Sequence, residues 1–420
     1  ALDAAHSNAA AANPPLLRKI EKQLSISLND NQRRAVLMAL THGVTVITGG
    51  PGTGKTTIVK LLIKMAQARE ENWLLAAPTG RASRRLAEAT DTSAKTIHRL
   101  LEFNGRTGHF QRTASNPIEA DGVLIDEASM VDIRLMSAVL AAIPEGCRLV
   151  MVGDADQLPS VGPGRVLGDV IASGSMPVCT LNEVYRQAAD SGIVINAHRI
   201  NSGEPPISGN EEHGRPDFFE IHRSDATAAQ QTVLEIVTRR LPKQGYDPLN
   251  DIQVLTPMHN GILGTEALNA ALQEALNPDG PFIARGHRKF RVNDRVIQLK
   301  NDYDNDVFNG DIGVVVYAAE GNLTVEYDGR PVQYRGEALT NIELAYAISI
   351  HKSQGSEYPA VVVAMHRAHF VMLRRNLLYT GITRAKRFCC VVGDRWAVRQ
   401  AISTPGGGER WSRLMDRLQS

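Results

Sequence analysis

Val44-Thr45-Val46-Ile47-Thr48-Gly49-Gly50-Pro51-Gly52-Thr53-Gly54-Lys55-Thr56-Thr57-Ile58 is the stretch that decides the fold. Its opening is a run of apolar and β-branched residues, as expected of a strand covered on both faces. Its end leads into a helical run, Ile58 to Ala68. Between them, Gly49 to Thr56 matches G-x-x-x-x-G-K-[ST] in the strand-to-helix context that the motif needs. Glycines let backbone N–H groups turn inward around phosphate oxygens, and the following helix N-terminus adds favourable partial charge. Gly50, Pro51, Gly52, Thr53, Gly54, Lys55, Thr56 and Thr57 are therefore candidate nucleotide-binding residues. Lys55 is placed to reach the β- and γ-phosphates, and Thr56 to ligate Mg²⁺.

Outward from this loop, Trp73 to Ala77, Val123 to Asp126 and Arg148 to Gly153 repeat the buried-strand signature and alternate with helical stretches. That is the pattern of parallel α/β architecture. One such unit is expected over roughly 28 to 176. Asp126 and Glu127 stand at the end of a strand, where parallel sheets present ligand chemistry. Asp126 suits the Mg²⁺ shell, and Glu127 can orient or deprotonate an attacking water. Two carboxylates after a strand are commonly just solvated, but beside a phosphate loop they imply hydrolysis. Gln157, in Gly153-Asp154-Ala155-Asp156-Gln157, is a neutral donor able to contact a γ-phosphate or its attacking water.

A second set of strands, Ile252 to Thr256, Ala360 to Met365 and Phe388 to Gly393, predicts a second α/β unit. From about Pro281 to Asn341 the texture changes to short strands and tight turns, with Asp328-Gly329 between alternating segments as a hairpin signal. A small β-barrel inserted into the second unit accounts for it. Glu102 to Asp121 interrupts the first unit in the same way and predicts a short projecting hairpin. Ser208 to Pro216 reads as an exposed loop.

A length of 420 residues allows roughly three folding units. Forty-six basic against forty-five acidic residues leave a net charge of +1, so any polyanion footprint must be local. Arg81 to Arg112 carries seven basic residues against three acidic, and Arg285 to Lys300 six against Asp294 alone. Cations with stacking rings such as His98, Phe103 or Phe110 suit an unread single strand. The second run stays open between a nucleic-acid track and a solvated face. No apolar run approaches the length of a bilayer span. Four cysteines outside any C-x-x-C spacing suit a reducing compartment, and Cys389-Cys390 suits core packing. Asp302, Asp304 and Asp306 imitate a calcium loop, but Val307 sits where that loop needs glycine. The alanine-rich first dozen residues read as a flexible leader, and a chain starting at Ala1 reads as a piece of something longer.

Taken in order, the motifs resemble those of superfamily 1 helicases of the RecD family. The likeness runs from Leu28 through nearly the whole chain. Gln32 matches the family's adenine-reading glutamine. Ala77-Pro78-Thr79-Gly80-Arg81-Ala82 and Thr96-Ile97-His98-Arg99-Leu100 match segments that grip single-stranded DNA. Leu181 to Gln187, with Tyr185 and Arg186, and Tyr379 to Ala385, with Arg384, match segments whose arginines reach the γ-phosphate. Ala347 to Glu357 matches the segment coupling nucleotide contacts (Gly355, Glu357) to DNA contacts (His351, Lys352). Tyr185 would stack on adenine or simply pack.

The resemblance implies two RecA-like P-loop domains with ATP between them, an SH3-like barrel inserted in the second and a β-hairpin pin in the first. The expected division is a leader and first helix over 1–27, a first motor domain over 28–176 with the pin at about 102–121, a second over 177–280 and 342–420, and the barrel over 281–341. It further implies an ATP- and Mg²⁺-dependent DNA helicase moving 5′ to 3′ on single-stranded DNA. Catalytic roles fall to Lys55, Glu127, Gln157, Arg186 and Arg384, and DNA contacts to Pro78, Thr79, Arg81, Thr96, His98, Arg99, Phe103, His351 and Lys352. Expected partners are single strands, duplex–single-strand junctions and single-strand-binding or recombination proteins, for a monomer in the cytoplasm associated with the nucleoid. Rival readings are an RNA-remodelling or protein-displacing translocase and a nucleotide-gated subunit of a larger complex. Longer relatives carry an N-terminal region that the roughly 27 residues before Leu28 cannot supply.

Overall fold

Buried β-branched strands flanked by amphipathic helices build the first sheet. A computed structural model describes residues 13–183, 190–209, 216–286, 288–406, 410 and 412–419. The chain divides into two units, 1–189 with 407–420, and 190–406. The leader, Tyr185, Arg186 and most of the loop at 208–216 lie outside the described residues.

The first unit runs α1 (Pro14–Gln23), α2 (Asp30–Thr41), β1 (Val44–Gly49), α3 (Lys55–Gln67), β2 (Trp73–Ala77), α4 (Gly80–Thr90), β3 (Ala94–Thr96), α5 (Ile97–Leu100), β4 (Phe103–Asn104), β5 (His109–Phe110), β6 (Gly122–Ile125), α6 (Ile133–Ala142), β7 (Arg148–Gly153), α7 (Val166–Ser173) and β8 (Val178–Leu181). Six of these strands form a parallel sheet ordered β3-β2-β6-β7-β1-β8. Every residue of β1 is buried. One face packs on Leu40, Ile58, Leu61, Leu62 and Met65, the other on Met136, Val139, Leu167 and Val170, which is why the strands lack alternation.

The domain boundary needs correction. Residues 178–181, expected in the second unit, pair in parallel with β1 and close the first sheet. The C-terminal helix Leu414–Gln419 likewise returns to the first unit: Ser175 Oγ donates to Leu418 O at 2.7 Å, and Ser412 Oγ to Asp169 at 2.7 Å. A strand edge and a helix face offered more apolar and hydrogen-bonding surface than sequence order suggested.

The second unit contains α8 (Gly192–Asn201), β9 (Phe218–His222), α9 (Ala226–Glu235), β10 (Ile252–Thr256), α10 (Thr265–Leu276), the barrel strands β11 (Phe282–Arg285), β12 (Arg288–Arg291), β13 (Arg295–Gln298), β14 (Ile312–Ala319), β15 (Asn322–Tyr327), β16 (Arg330–Arg335) and β17 (Ile342–Leu344), then β18 (Ala347–Ser349), β19 (Tyr358–Met365), α11 (Arg375–Ile382), β20 (Ala385–Gly393) and α12 (Arg395–Ser403). Its parallel sheet is ordered β18-β10-β19-β20-β9, with Cys389 and Cys390 buried and free.

The insertion is antiparallel, β16-β15-β14-β13-β17 with the hairpin β11-β12, around Phe290, Val296, Val315, Leu323, Val325 and Tyr327. It extends past the expected limit of 341, because β17 pairs with β13. Asp328 and Gly329 both take positive φ, 49° and 78°, between paired Tyr327 and Arg330. That is the mirror-image turn an Asp-Gly hairpin requires.

One buried carboxylate ties the barrel to the parallel sheet of the second unit. Asp294 accepts from Arg291 N at 2.6 Å, Asn277 Nδ2 at 2.8 Å, Tyr346 Oη at 2.8 Å and Gln273 Nε2. Burial pushes its carboxyl up, against these four donors. Asp294→Ala leaves buried donors unpaired, which costs about 3 kcal/mol. A lower urea midpoint and early protease cleavage within 281–344 are the expected results; an unchanged midpoint would refute this anchoring role.

Candidate nucleotide and nucleic-acid site

The chemistry of the first unit collects where its parallel strands end. Gly49-Gly50 closes β1, Pro78-Thr79 follows β2, Thr96 ends β3, Asp126-Glu127 follows β6 and Asp154 follows β7. Strand carboxyl ends of such sheets are where ligands bind.

The phosphate loop has the backbone its glycines permit: Gly52 and Gly54 take φ of 72° and 85°, and Gly54 is the cap before α3. A Cβ on Gly49 would stand 2.9 Å from Leu181, so β8 fixes glycine there. Lys55 Nζ donates to Gly49 O at 2.6 Å and Gly50 O at 2.9 Å, which keeps the ammonium over the loop. Thr53 Oγ1 donates to Gly50 O at 2.9 Å. Thr56 is exposed on the first turn of α3.

Gln32 is buried, and its amide is spent locally. Its Oε1 accepts from Asn29 N at 3.0 Å in a capping box, while Nε2 donates to Thr53 O at 2.9 Å. It therefore braces α2 against the phosphate loop, adjacent to the place where an adenine reader is expected.

Asp126 keeps some access to solvent, yet protein surrounds it densely enough that burial, then the neighbouring Glu127, pushes its carboxyl up to about 6; Arg85 and Lys55 pull it back in part. Glu127 takes a left-handed backbone at φ 52°. Non-glycine residues hold that conformation at a cost of roughly 1 kcal/mol, and such strain collects at functional sites. Gln157 is buried and donates from Nε2 to Asp154 Oδ2 at 3.2 Å, with Asp154 itself buried.

Mg²⁺ fits this donor set. Thr56 and Asp126 offer hard oxygens, and the Asp126 carboxyl, pushed up by burial and by the adjacent Glu127, lacks the positive charge that a dication supplies. Among the described residues, no group of three or more His, Cys, Asp or Glu is arranged to hold a metal unaided.

The DNA candidates of this unit lie on the neighbouring strand ends. Thr79 caps α4, accepting from Ala82 N at 3.2 Å, and Thr96 caps α5, accepting from Arg99 N at 3.2 Å. Arg81 sits on the first turn of α4, half-buried like Pro78, and Arg99 is exposed. His98, Phe103 and Phe110 pack on one another with ring centroids 5.1 to 5.7 Å apart. All three are half-buried, and burial pushes the His98 imidazole down. They root the hairpin and do not stand free as stacking platforms.

The hairpin itself is brief: Phe103 pairs Phe110 and Asn104 pairs His109. Asn104 Oδ1 accepts from Arg106 N and Thr107 N at 2.9 and 3.2 Å, and Arg112 Nη2 donates to Glu102 at 2.8 Å below it. Residues 105–109 are exposed.

In the second unit the two sets of candidates separate. Gly355, Glu357 and Arg384 lie where β19 and β20 begin, whereas His351 and Lys352 follow the end of β18. Arg384 is buried and donates to Thr380 O, Ser356 O and Thr383 Oγ1, each at 3.1 Å. Glu357 pairs with Lys386 at 3.4 Å, and Gly355 takes φ 72°. Burial pushes His351 down. The second basic run is largely internal bracing: Arg295 Nη1 donates to Ile252 O at 3.0 Å, Arg285 to Gly336 O at 2.6 Å and Arg291 to Glu274 at 3.1 Å.

Asp154 and Arg85 are the residues that motif reading passed over. Arg85 stands one turn beyond Arg81 on α4, and its charge acts on the Asp126 carboxyl; the i, i+4 spacing was the signal.

Three family models match the chain: an AAA domain over residues 32–163, an ATP-dependent RecD-like DNA helicase SH3 domain over 268–327 and a UvrD-like helicase C-terminal domain over 344–392. The ATP-dependent RecD2 DNA helicase of Deinococcus radiodurans is 39% identical over 367 residues, covering 87% of this chain but 49% of that protein. The RecBCD enzyme subunit RecD of Mycobacterium tuberculosis is 33% identical over 434 residues, covering 93% and 73%. The chain thus spans about half the length of the first relative and nearly three quarters of the second. Two Pif1 helicase structures share the fold: that from Candida albicans at TM-score 0.55, 19% identity and 91% and 97% coverage, and one concerning forked double-stranded DNA at 0.55, 18%, 90% and 94%. A RecD-type SH3 module in the same chain as a phosphate loop, with one-third identity over 93% of this chain and 73% of a RecD subunit, has one reading: the chain belongs to the RecD family of superfamily 1 helicases.

Proposed function

We propose that this chain is the motor of an ATP-dependent DNA helicase that translocates 5′ to 3′ on single-stranded DNA and separates duplexes in repair or recombination. The observation that carries the reading is the shared strand end: Lys55, Asp126 and Glu127 stand on the same edge of one sheet as Thr79, Thr96 and Arg99. Nucleotide and strand would then meet one rigid element.

In this reading the loop amides of Gly50 to Thr57 and the Lys55 ammonium hold the β- and γ-phosphates, with Gln32 and Tyr185 toward the base. Thr56 and Asp126 would hold Mg²⁺, which when bound neutralises phosphate charge. Glu127 orients and deprotonates the attacking water, and Gln157, oriented by Asp154, donates a hydrogen bond to it or to the γ-phosphate. Arg186 and Arg384 neutralise charge on the transferring phosphoryl group, a role typically worth about 10³ to 10⁵ in rate. Gly355 and Glu357 join the nucleotide side of the second unit. Pro78, Thr79, Arg81, Thr96, His98, Arg99, His351 and Lys352 track the strand, while Phe103 supports the hairpin that meets a junction.

In this reading the chain works on nucleoid DNA in the cytoplasm; among the described residues no helix is long and apolar enough to cross a membrane. Strand displacement on duplexes with 5′ or 3′ single-stranded tails, with and without ATP, tests the proposal. Unwinding of the 5′-tailed substrate only, and only with ATP, is expected; preference for 3′ tails would overturn the polarity. The Mycobacterium tuberculosis relative, being a RecBCD subunit, favours a second reading as a subunit of a larger complex. Failure of the purified chain to unwind either substrate would select it.

A further inference from the structure

Where the barrel meets the motor sheet, the second unit has a half-open cavity of about 360 Å³ whose wall includes His259, Glu266, Arg288, Lys289, Glu343 and Lys352. Glu343 differs from the others in its bonding. Its Oε2 lies 3.0 Å from Lys352 Nζ and its Oε1 3.1 Å from Arg288 Nη2. One carboxylate therefore occupies two cations at once. Burial alone would push this acid up, but Lys352 and Arg288 outweigh it and hold the carboxyl below its ordinary range, so the group is an anion under working conditions. Its side chain is 21% exposed, and its partners' are 36% and 34% exposed. The pairs are open enough to be exchanged.

The three residues come from different elements. Arg288 belongs to β12 and Glu343 to β17, both of the barrel, while Lys352 follows β18 of the motor sheet. A phosphodiester oxygen and a carboxylate oxygen compete for the same ammonium and guanidinium hydrogens. We propose that Glu343 is a resident competitor for the DNA backbone, a positioning residue that holds Lys352 and Arg288 apart for a phosphodiester and must give them up when the strand is gripped. The inference rests on the assignment of Lys352 to the DNA strand. A motor has to release its track as often as it grips it, and a tethered anion ready to retake both cations speeds release. The same residue keeps an empty cavity from holding two uncompensated positive charges.

The experiment measures binding of fluorescent oligothymidylate to the full chain between about 50 and 200 mM salt, together with strand-stimulated ATP hydrolysis. Glu343→Gln keeps the shape and removes the charge. It should bind roughly 5- to 10-fold tighter and steepen the salt dependence by about one counterion. It should also lower the DNA concentration for half-maximal stimulation without raising maximal turnover. Glu343→Asp should restore wild-type behaviour. Should the Gln variant melt early, Glu343→Thr, which suits a strand position, replaces it. Lys352→Ala provides the reference and should weaken binding and flatten the salt dependence. A folded, uncharged variant that binds as wild type or more weakly would overturn the competitor role while leaving the helicase reading intact. Unchanged binding by Lys352→Ala would overturn the strand assignment, and the competitor role with it.

Discussion

Lys55→Ala should lower strand-stimulated ATP hydrolysis by about 10² to 10³, as loss of one preorganised phosphate donor does, and Glu127→Gln by about 10² to 10⁴, as loss of a general base does. The two variants fail for different reasons. Lys55 is held over the loop by Gly49 O and Gly50 O, so its removal takes the charge from the phosphate cradle itself. Glu127→Gln leaves nucleotide binding intact, because the amide keeps the shape of the carboxylate at the same left-handed position. A fluorescent nucleotide analogue should therefore bind the Gln variant normally and the Ala variant weakly. Full turnover surviving in both, at saturating single-stranded DNA, would remove the hydrolytic assignment.

Deleting Asn104 to Ser115 should abolish strand displacement while single-strand-stimulated hydrolysis persists. The hairpin contributes no residue to the phosphate loop, and its neighbours in the sheet are tied by strand pairing that the deletion does not touch. The deletion also removes Phe110 and Arg112, which pack on His98 and brace Glu102. A shorter cut, Gly105 to Gly108, spares those contacts and isolates the exposed tip. Both deletions should give the same unwinding defect if the tip is the separating element. Parallel loss of hydrolysis and unwinding in the short cut would show that the hairpin serves the motor instead.

Much of this molecule was legible in its residues, for identifiable reasons. The strand-loop-helix at Val44 to Ile58 carries its conformation in composition: β-branched residues for a strand buried on both faces, glycines where φ is positive. Asp328-Gly329 was equally readable, since a two-residue turn has few solutions. What escaped was set by tertiary exchange. Residues 178–181 complete the first sheet because β1 had an open edge, a fact about pairing that no local pattern records. The return of Leu414–Gln419 depends on the face offered by α7. Charge counting left the run from Arg285 to Lys300 open, because a run of cations does not say which way each one points; Arg291 and Arg295 turn out buried and donate to Asn277 O and Ile252 O, bracing the barrel against its neighbours. Phe103 was read as a stacking ring, yet its partners were the two other rings proposed for that purpose.

The passage from β17 into β18 has a mechanical consequence. Only Ala345 and Tyr346 separate the barrel's last strand from the motor sheet, and both are pinned, Ala345 N to Arg295 O at 2.8 Å and Tyr346 Oη to Asp294. Such a joint has no slack. In the function proposed above, tension applied to the barrel by a taut strand would travel along Ile342 to Ser349, two short strands joined through the pinned bend at Tyr346, and arrive at His351 as a pull rather than dissipating in a hinge, so the small module would work as a crank on the sheet that carries it.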